Sequence, residues 1–364
     1  MGRCSNHPGK TNKTNRSFSD VIRSYGPSRF IITGPATWLS LLRQFRSCLT
    51  TDPQDKIFGL YGIVQEDETN GALKPDYSLH VADLYIGTAT YLLSAAKSFD
   101  IIYESIAGAT SHISSLGLPS WVPDWSYNPA TIPLYRISDF KTSRRGLDAK
   151  IENGVLRTGA VVLGQVRDTG IAFGGAAMES DDILMVTLGG LEFFARHERP
   201  ATDFWETLFL GREQGWGKFP QVFQRLLEAQ IPTLTTSLDN HLAPQDNPMI
   251  DAEDDSETGS FFDHCKTNLA SRRFIAGEGF IGVGSGYIAP EDFVVIPSGC
   301  STPIIVRQGL HQTRFTLVGD AYIVRRINAG TGGTWGRGRG GGGKGGKGRG
   351  AGGAGLRTQT IEIV

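Results

Sequence analysis

The sequence of 364 residues is poor in sulfur-containing residues, with four cysteines and four methionines, and it carries almost no net charge. The cysteines are too few and too widely spaced for the disulfide framework of a small secreted domain. They are Cys4, Cys48, Cys265 and Cys300. The 36 basic and 37 acidic residues leave a formal net charge of −1, which excludes a surface that attracts nucleic acid everywhere.

Long hydrophobic runs are also absent. No stretch approaches the roughly 18 consecutive apolar residues of a membrane-spanning helix. Residues 1–20 are polar and lack the apolar segment of a secretory signal peptide. Because 39% of the residues are apolar, the chain has enough material for a core. We therefore expect a globular protein that is not secreted, is intracellular and resides in the cytoplasm.

The pattern of apolar residues predicts an α+β protein in which a helical N-terminal layer precedes a β-rich C-terminal module, a meander or small barrel, and a disordered Gly-rich tract. The length is soft support for more than one domain. The predicted segments are a disordered lead-in at 1–35, a helical region at 36–128, a mixed linker and α+β region at 129–265 with an acidic loop at 238–260, a β-rich module at 266–327, a disordered tract rich in Gly, Arg and Lys at 328–358, and a terminal strand at 359–364.

Helical signals dominate the first third. Trp38, Leu41, Leu42, Phe45 and Leu49 follow the spacing of one helix face. A second short helix is predicted after Asp52, which suits an N-cap, and a third from about residue 78 to 97. Helical patches are also predicted at 203–210 and 219–230.

Strand signals begin later. Short β-like runs are predicted at 155–163 and 183–188. From residue 272 onward, apolar runs alternate with Gly, Pro, Asp or Ser at intervals of about 8–12 residues, which is typical of a meander or small barrel.

The sequence contains no convincing catalytic or cofactor-binding motif. Residues 277–282 match G-x-G-x-x-G, but turn and strand residues follow where a dinucleotide site needs a helix, so we interpret them as a Gly-rich hairpin. His264-Cys265 lacks the ligand spacing of a zinc site. Asp52 and Asp55 are explained by their place at a helix start. The sequence predicts no catalytic, cofactor-binding or metal-binding residue, no cofactor, and no enzyme.

The tract at 330–355 is the one binding element that the sequence suggests. It is rich in glycine and carries five cations without an acid. Arginine- and glycine-rich segments bind RNA through phosphate charge, so weak, salt-dependent RNA contact is a hypothesis for this tract. A solvated spacer is the simpler interpretation.

Several segments together resemble fungal heterokaryon-incompatibility (HET) proteins. The segment TDPQDKIFGLYG at 51–62 resembles the "DPRDKIYALLGL" segment of these proteins. KPDYS at 74–78 resembles their "DYS" element, and LPSWVPDW at 118–125 resembles their "LPSWVPDW" element. GFIGVG at 279–284, DFVVI at 292–296, PIIVR at 303–307 and FTLVGDAYI at 315–323 are similar to the C-terminal region of that family. The resemblance spans about residues 36–327, and the family's defining HET domain is not among the matching pieces.

The resemblance carries over a set of signature residues, for which we expect structural roles. They are Asp52, Pro53, Asp55, Lys56, Asp76, Tyr77, Pro119, Trp121, Pro123, Asp124, Trp125, Gly282, Arg307 and Gly319. Two tryptophans on a proline-rich segment are expected to anchor it, each indole N–H finding an acceptor.

The implied function is that of a non-enzymatic accessory or regulatory region of a self/non-self recognition protein, a truncated or diverged family member linked to programmed cell death. An unknown protein partner is expected, and the oligomeric state stays open. Two alternatives remain: an RNA-associated protein that uses the 330–355 tract, and an enzyme whose site is assembled only in the fold.

Overall fold

The structure is a computed structural model, and it describes residues 3–4, 16–17, 35–61, 75–96, 98–109, 113–129, 131–137, 148–175, 177–212, 219–226, 256–300, 302–325 and 358–364. Nearly all of the predicted lead-in and Gly-rich tract, and most of the predicted acidic loop, lie outside these residues. Within the lead-in, Arg3–Cys4 (β1) and Arg16–Ser17 (β2) form an antiparallel pair.

The N-terminal region is helical, as the sequence predicts. The helices are α1 (Pro35–Gln44), α2 (Asp55–Tyr61), α3 (Val81–Ala96), α4 (Asp100–Ala109) and the single turn α5 (Leu134–Ile137). Trp38, Leu41, Leu42 and Phe45 are buried, whereas Leu49 is 61% exposed because the chain has already left α1. The amphipathic stripe therefore ends at Phe45.

A second helical layer is built from the middle of the chain. It contains α6 (Ser180–Arg196), α7 (Ala201–Leu208), α8 (219–226) and α9 (Ser256–Asn268). The strand predicted at 183–188 is wrong, because this segment lies inside α6. A reciprocal capping box between Glu179 and Asp182 starts the helix. Residues 256–260 of the predicted acidic loop belong to α9.

Segments between residues 149 and 363 form a sheet of eight strands. They are β3 (Ala149–Glu152), β4 (Val155–Ala172), β5 (Arg272–Gly277), β6 (Phe280–Ser285), β7 (Phe293–Pro297), β8 (Ile304–Gln308), β9 (Arg314–Arg325) and β10 (Thr358–Ile363). The apolar runs predicted at 155–163 and from 272 onward are strands. β5 and β6 form a tight hairpin whose Gly279 has a φ of 79°, so the G-x-G-x-x-G match is a hairpin, as predicted.

Six of these strands close into a barrel. The hydrogen-bonded order is β4-β5-β6-β9-β8-β7, and β7 pairs again with β4, so the ring has no open edge. β4 achieves this because its first half pairs with β7 and its second half with β5, with a bulge between Val162 and Gly164. The closing strand thus precedes the β-rich module predicted at 266–327.

Apolar side chains fill the barrel and cover it on two sides. The interior cluster includes Val166, Ile275, Val294, Ile305 and Ile323. The outward side chains of β7, β8 and β10 join the core of the N-terminal helices, and those of β5 and β6 join the core of α6, α7 and α9. The barrel is therefore enclosed by helices on both sides, which explains why its strands show continuous rather than alternating burial.

Candidate functional site

The first signature segment starts α2 and fastens it to α3. The Asp52 Oδ1 accepts the backbone N–H of Gln54 at 2.9 Å, and α2 begins at Asp55. The carbonyl of Pro53 accepts the Tyr85 hydroxyl of α3 at 2.8 Å. Asp52 is expected to be the N-cap of the helix. In the structure it lies in the turn before α2, where its carboxylate accepts the N–H of Gln54.

Lys56 is turned back toward the end of α1. Its Nζ donates to the carbonyl of Arg46 at 2.8 Å and, in a shorter contact, to that of Cys48. Burial and, to a smaller extent, the nearby charge of Arg46 together lower the pKa of Lys56 to about 8, and the attraction of Asp124 opposes them. Cys48 is disulfide-bonded, whereas Cys265 and Cys300 are free and buried.

Arg46 is the buried cation at the centre of the N-terminal layer. Its guanidinium donates to the backbone carbonyls of Tyr127, Glu104 and Asp124, each at 2.9 Å, and contacts the Glu104 carboxylate at 3.4 Å. It also lies over the Trp125 ring, 5.0 Å from the centroid. Burial lowers the pKa of Arg46, while Glu104 and Asp124 oppose that shift. This residue ties the end of α1 to α4 and to the segment 118–125, and no local sequence pattern points to it.

The second signature element forms an exposed turn against α2. The Asp76 Oδ1 accepts the backbone N–H and the hydroxyl of Ser78, and this hydrogen bonding lowers the pKa of Asp76. The Tyr77 hydroxyl donates to Asp55 at 2.8 Å, and its ring packs edge-on against Phe58 at 5.0 Å. The two signature elements therefore contact each other.

The segment 118–125 is anchored as the sequence predicts, with one correction. Trp121 is fully buried and its indole N–H donates to the carbonyl of Gly154 at 2.8 Å. Trp125 is 1% exposed, but its indole N–H has no acceptor among the described residues. Pro123 is buried, and the carbonyl of Pro119 accepts the backbone N–H of Val122 at 2.9 Å.

The remaining signature residues belong to the barrel. A Cβ on Gly282 would lie 1.9 Å from the carbonyl oxygen of Tyr322, and one on Gly319 would lie 1.8 Å from that of Ser285. Only glycine lets these strands approach so closely. Arg307 forms a bidentate ion pair with Asp292, at 2.8 and 2.9 Å, and donates to the Tyr287 carbonyl at 2.7 Å.

A buried ion pair that the sequence does not reveal joins the barrel to the second helical layer. Arg272 of β5 donates to Asp320 of β9 at 2.5 Å and to the carbonyls of Asn268 and Ile132. The Asp320 carboxylate also accepts the Ser285 hydroxyl and the Leu134 N–H. Every one of these contacts links separate elements, so the cluster is a structural junction.

An open groove of about 300 Å³ lies beside the segment 118–125 and contains three signature residues, Pro119, Asp124 and Arg307. The Asp124 Oδ1 accepts the backbone N–H of Ser126 at 2.9 Å, and Arg307 is paired with Asp292. Because the charged groups of the groove are engaged within the chain, the geometry offers no acid–base pair there.

A second cluster has the chemistry of a dyad. The imidazole of His197 contacts the Asp168 carboxylate at 2.9 Å, and Arg196 contacts the same oxygen at 2.7 Å. These two partners lower the pKa of Asp168 against the opposing effect of its partial burial. Within the described residues, no hydroxyl or thiol hydrogen-bonds to the imidazole, as it would in a nucleophile–base pair.

In the described part of the chain, no three His, Cys, Asp or Glu side chains are grouped so that they could hold a metal ion. None of the helices in the described ranges has the length and apolarity needed to cross a lipid bilayer.

The fold and its clusters define a helix-covered β-barrel protein whose prominent polar residues hold elements together. Residues 235–329 match the family model of the Het-6 beta-barrel domain. This is a domain of HET-family heterokaryon incompatibility proteins, found in their C-terminal region. Residues 235–329 are thus similar to a Het-6 beta-barrel domain, and the family resemblance of the sequence is confirmed over that region. No curated protein and no solved structure matches the chain.

Proposed function

We propose that this chain is a non-catalytic accessory and regulatory region of a heterokaryon-incompatibility-type recognition protein. The Het-6 beta-barrel domain at 235–329 supports the incompatibility context. The non-catalytic role is supported by what the signature residues do. Such a region contributes to self/non-self recognition by holding a shape that a protein partner contacts.

The observation that carries the proposal is the internal use of the signature side chains. Lys56 donates to two carbonyls, Trp121 to a third, and Gly282 makes room for a neighbouring backbone. A catalytic group needs a reactive atom that a substrate can reach. Side chains that cap, pair and pack in this way stabilise a fold and leave the reaction chemistry elsewhere.

A turnover measurement tests the non-catalytic role. The purified chain is incubated with NAD⁺, ATP and p-nitrophenyl acetate, which represent nucleotide cleavage and ester hydrolysis. We expect no turnover above that of the His197→Ala variant, which removes the only His–carboxylate contact among the described residues. Turnover by the wild-type chain that this single substitution abolishes would contradict the proposal.

A genetic measurement tests the recognition role. The chain is expressed in one nucleus of forced heterokaryons of a filamentous fungal host, and growth is scored against heterokaryons without it. We expect a growth difference that survives His197→Ala and disappears with Gly282→Ala, which disrupts the barrel. Equal growth in every combination would count against an incompatibility role.

A further inference from the structure

Strand β10 occupies a slot between two strands of the barrel. It runs antiparallel to the first half of β4 through six residue pairs, from Thr358 opposite Val161 to Ile363 opposite Leu156. On its other side it lies parallel to the start of β9, where Glu362 and Ile363 pair with Arg314 and Phe315. Both edges of β10 are therefore hydrogen-bonded to the body of the protein.

The slot contacts the two faces of β10 differently, with apolar side chains on one face and basic side chains on the other. Ile361 and Ile363 are fully buried and belong to the same apolar cluster as Leu156 and Phe315. Glu362 points the other way, where its carboxylate contacts Arg157 at 2.9 Å and Arg314 at 3.5 Å. The slot thus accepts two β-branched apolar residues that flank an acidic one.

Backbone contacts fix the last residues of the strand. The N–H of Val364 donates to the carbonyl of Phe315 at 2.9 Å, and the carbonyl of Val364 accepts the backbone N–H of Ser120 at 3.0 Å. Ser120 belongs to the signature segment 118–125, and its hydroxyl accepts the N–H of Leu317. The slot is therefore lined by the barrel and by a signature segment together.

The barrel does not need β10 to close. Its ring of six strands is completed by the β4–β7 pairing, and the slot lies outside that ring. About 30 residues, 326–357, separate β9 from β10 in the sequence. Since no tight turn joins β10 to a neighbouring strand, its position depends on the non-covalent contacts of the slot.

We propose that the slot between β4 and β9 is a strand-acceptor site, and that β10 is its built-in occupant, which an extended segment of a partner protein replaces. The partner segment carries isoleucine or valine at two alternate positions with an acidic residue between them. Main-chain hydrogen bonds supply affinity and the alternate side chains supply specificity, as in other cases of strand addition.

The covalent connection to β10 determines the affinity that a partner strand needs in order to displace it. Because β10 belongs to the same chain as its slot, its return to the slot is intramolecular, and such tethering gives an effective concentration on the order of millimolar. A partner strand therefore displaces β10 only when its own affinity or local concentration exceeds that competition. This exchange does not depend on the proposed recognition function, because it is measured by binding alone.

Cleavage of the connection tests the proposal without destabilising the folded chain. A specific protease site is inserted within 340–350 of the full chain, which is purified folded and then cut. The probe is a fluorescent peptide with the sequence of residues 358–364. We expect the cut chain to take up the peptide at least tenfold more strongly than the uncut chain, while its circular dichroism is unchanged.

Matched peptides and a charge reversal control the specificity. A peptide with Ile361→Asp and Ile363→Asp is expected not to bind, whereas one with Gln359→Asn, at an exposed position, is expected to bind like the original. In the cut chain, Arg157→Glu is expected to weaken the original peptide by about two- to fivefold and to bind the Glu362→Arg peptide better.

Four results would overturn the proposal. One is equal uptake of the double-Asp peptide, and another is a cut fragment that does not exchange within a day. Loss of the folded signal when the fragment leaves would show that β10 is integral to the fold. Dimers of the uncut chain that vanish when residues 358–364 are deleted would assign the slot to a second copy of this chain.

Discussion

Arg272 and Asp320 form an ion pair at 2.5 Å in which both side chains are completely buried. The pair joins β5 to β9 across β6, and its further hydrogen bonds reach the loop before α5 and the end of α9. Because both charges are compensated only by each other and by polar groups of the protein, the junction is sensitive to the loss of either partner.

Asp320→Asn is expected to lower the free energy of unfolding by about 3–5 kcal/mol, because it leaves the Arg272 cation buried without a counter-charge. Urea unfolding followed by tryptophan fluorescence measures the change. The double variant Arg272→Met with Asp320→Leu removes both charges and is expected to be more stable than the single variant. A single variant as stable as the wild type would show that the pair is not a junction.

Trp125→Ala is expected to cost about 3–5 kcal/mol of stability, because the ring is 1% exposed and supports Arg46. Thermal unfolding provides the measurement. Tyr287→Ala is the control, since Tyr287 is 66% exposed and its removal is expected to change stability by no more than about 0.5 kcal/mol. An unchanged melting temperature for Trp125→Ala would refute the anchoring role of the segment 118–125.

The lowered pKa of Lys56 predicts a pH dependence of stability. Burial holds the folded-state pKa at about 8, below the 10.5 of a free lysine, so the unfolded chain binds more protons between these values. The contribution of Lys56 to stability therefore rises as the pH increases from about 8 to 10.5. The difference in unfolding free energy between wild type and Lys56→Met, measured at pH 7.5 and pH 10, is expected to shift in favour of the wild type. A pH-independent difference would contradict the lowered pKa.

Gly282→Ala is expected to destabilise the barrel by about 3 kcal/mol or more, because the new methyl group would meet the backbone of Tyr322 at 1.9 Å. Gly87→Ala is the matched control. Gly87 lies exposed within α3 with open space around it, and the substitution is expected to stabilise the chain by about 0.4–1 kcal/mol. Chemical unfolding of both variants tests this contrast, and a stable Gly282→Ala protein would show that the strands can separate.

Deleting residues 330–355 separates the proposed function from the RNA hypothesis. Under the proposed function, the deletion is expected to change neither folding nor the low retention of the chain on single-stranded RNA at 50 mM salt. Strong retention that the deletion abolishes, and that falls steeply between 50 and 200 mM salt, would instead favour RNA contact through the cations of the tract.

Local patterns in the sequence predict much of the fold. The α1 stripe, the capping turn at Asp52 and the strand runs after residue 272 all depend on neighbours a few positions away. The segment 183–188 misleads because its apolar run suits a strand as well as a buried helix. What decides for the helix is its tertiary setting: a Cβ on Gly190 would lie 2.5 Å from Phe274, so α6 packs directly against β5.

The long-range relationships are invisible to such patterns. Arg272 and Asp320 are 48 positions apart, and Arg46 finds its acceptors 58–81 positions away. No spacing rule links them, because the closure of the barrel and the packing of the helices bring them together. The signature residues could be named from the resemblance, but their partners became apparent only in the fold.

Because β4 pairs with both β5 and β7, a fragment cut at the limits of the family match would lose the strand that closes the barrel. The matched residues 235–329 omit β4, so a fragment cut at those limits would leave β5 and β7 each with a row of unsatisfied backbone groups. Such exposed strand borders promote association between molecules. A fragment that keeps the closed ring of strands must therefore include β4 and begin upstream of the recognised sequence signature.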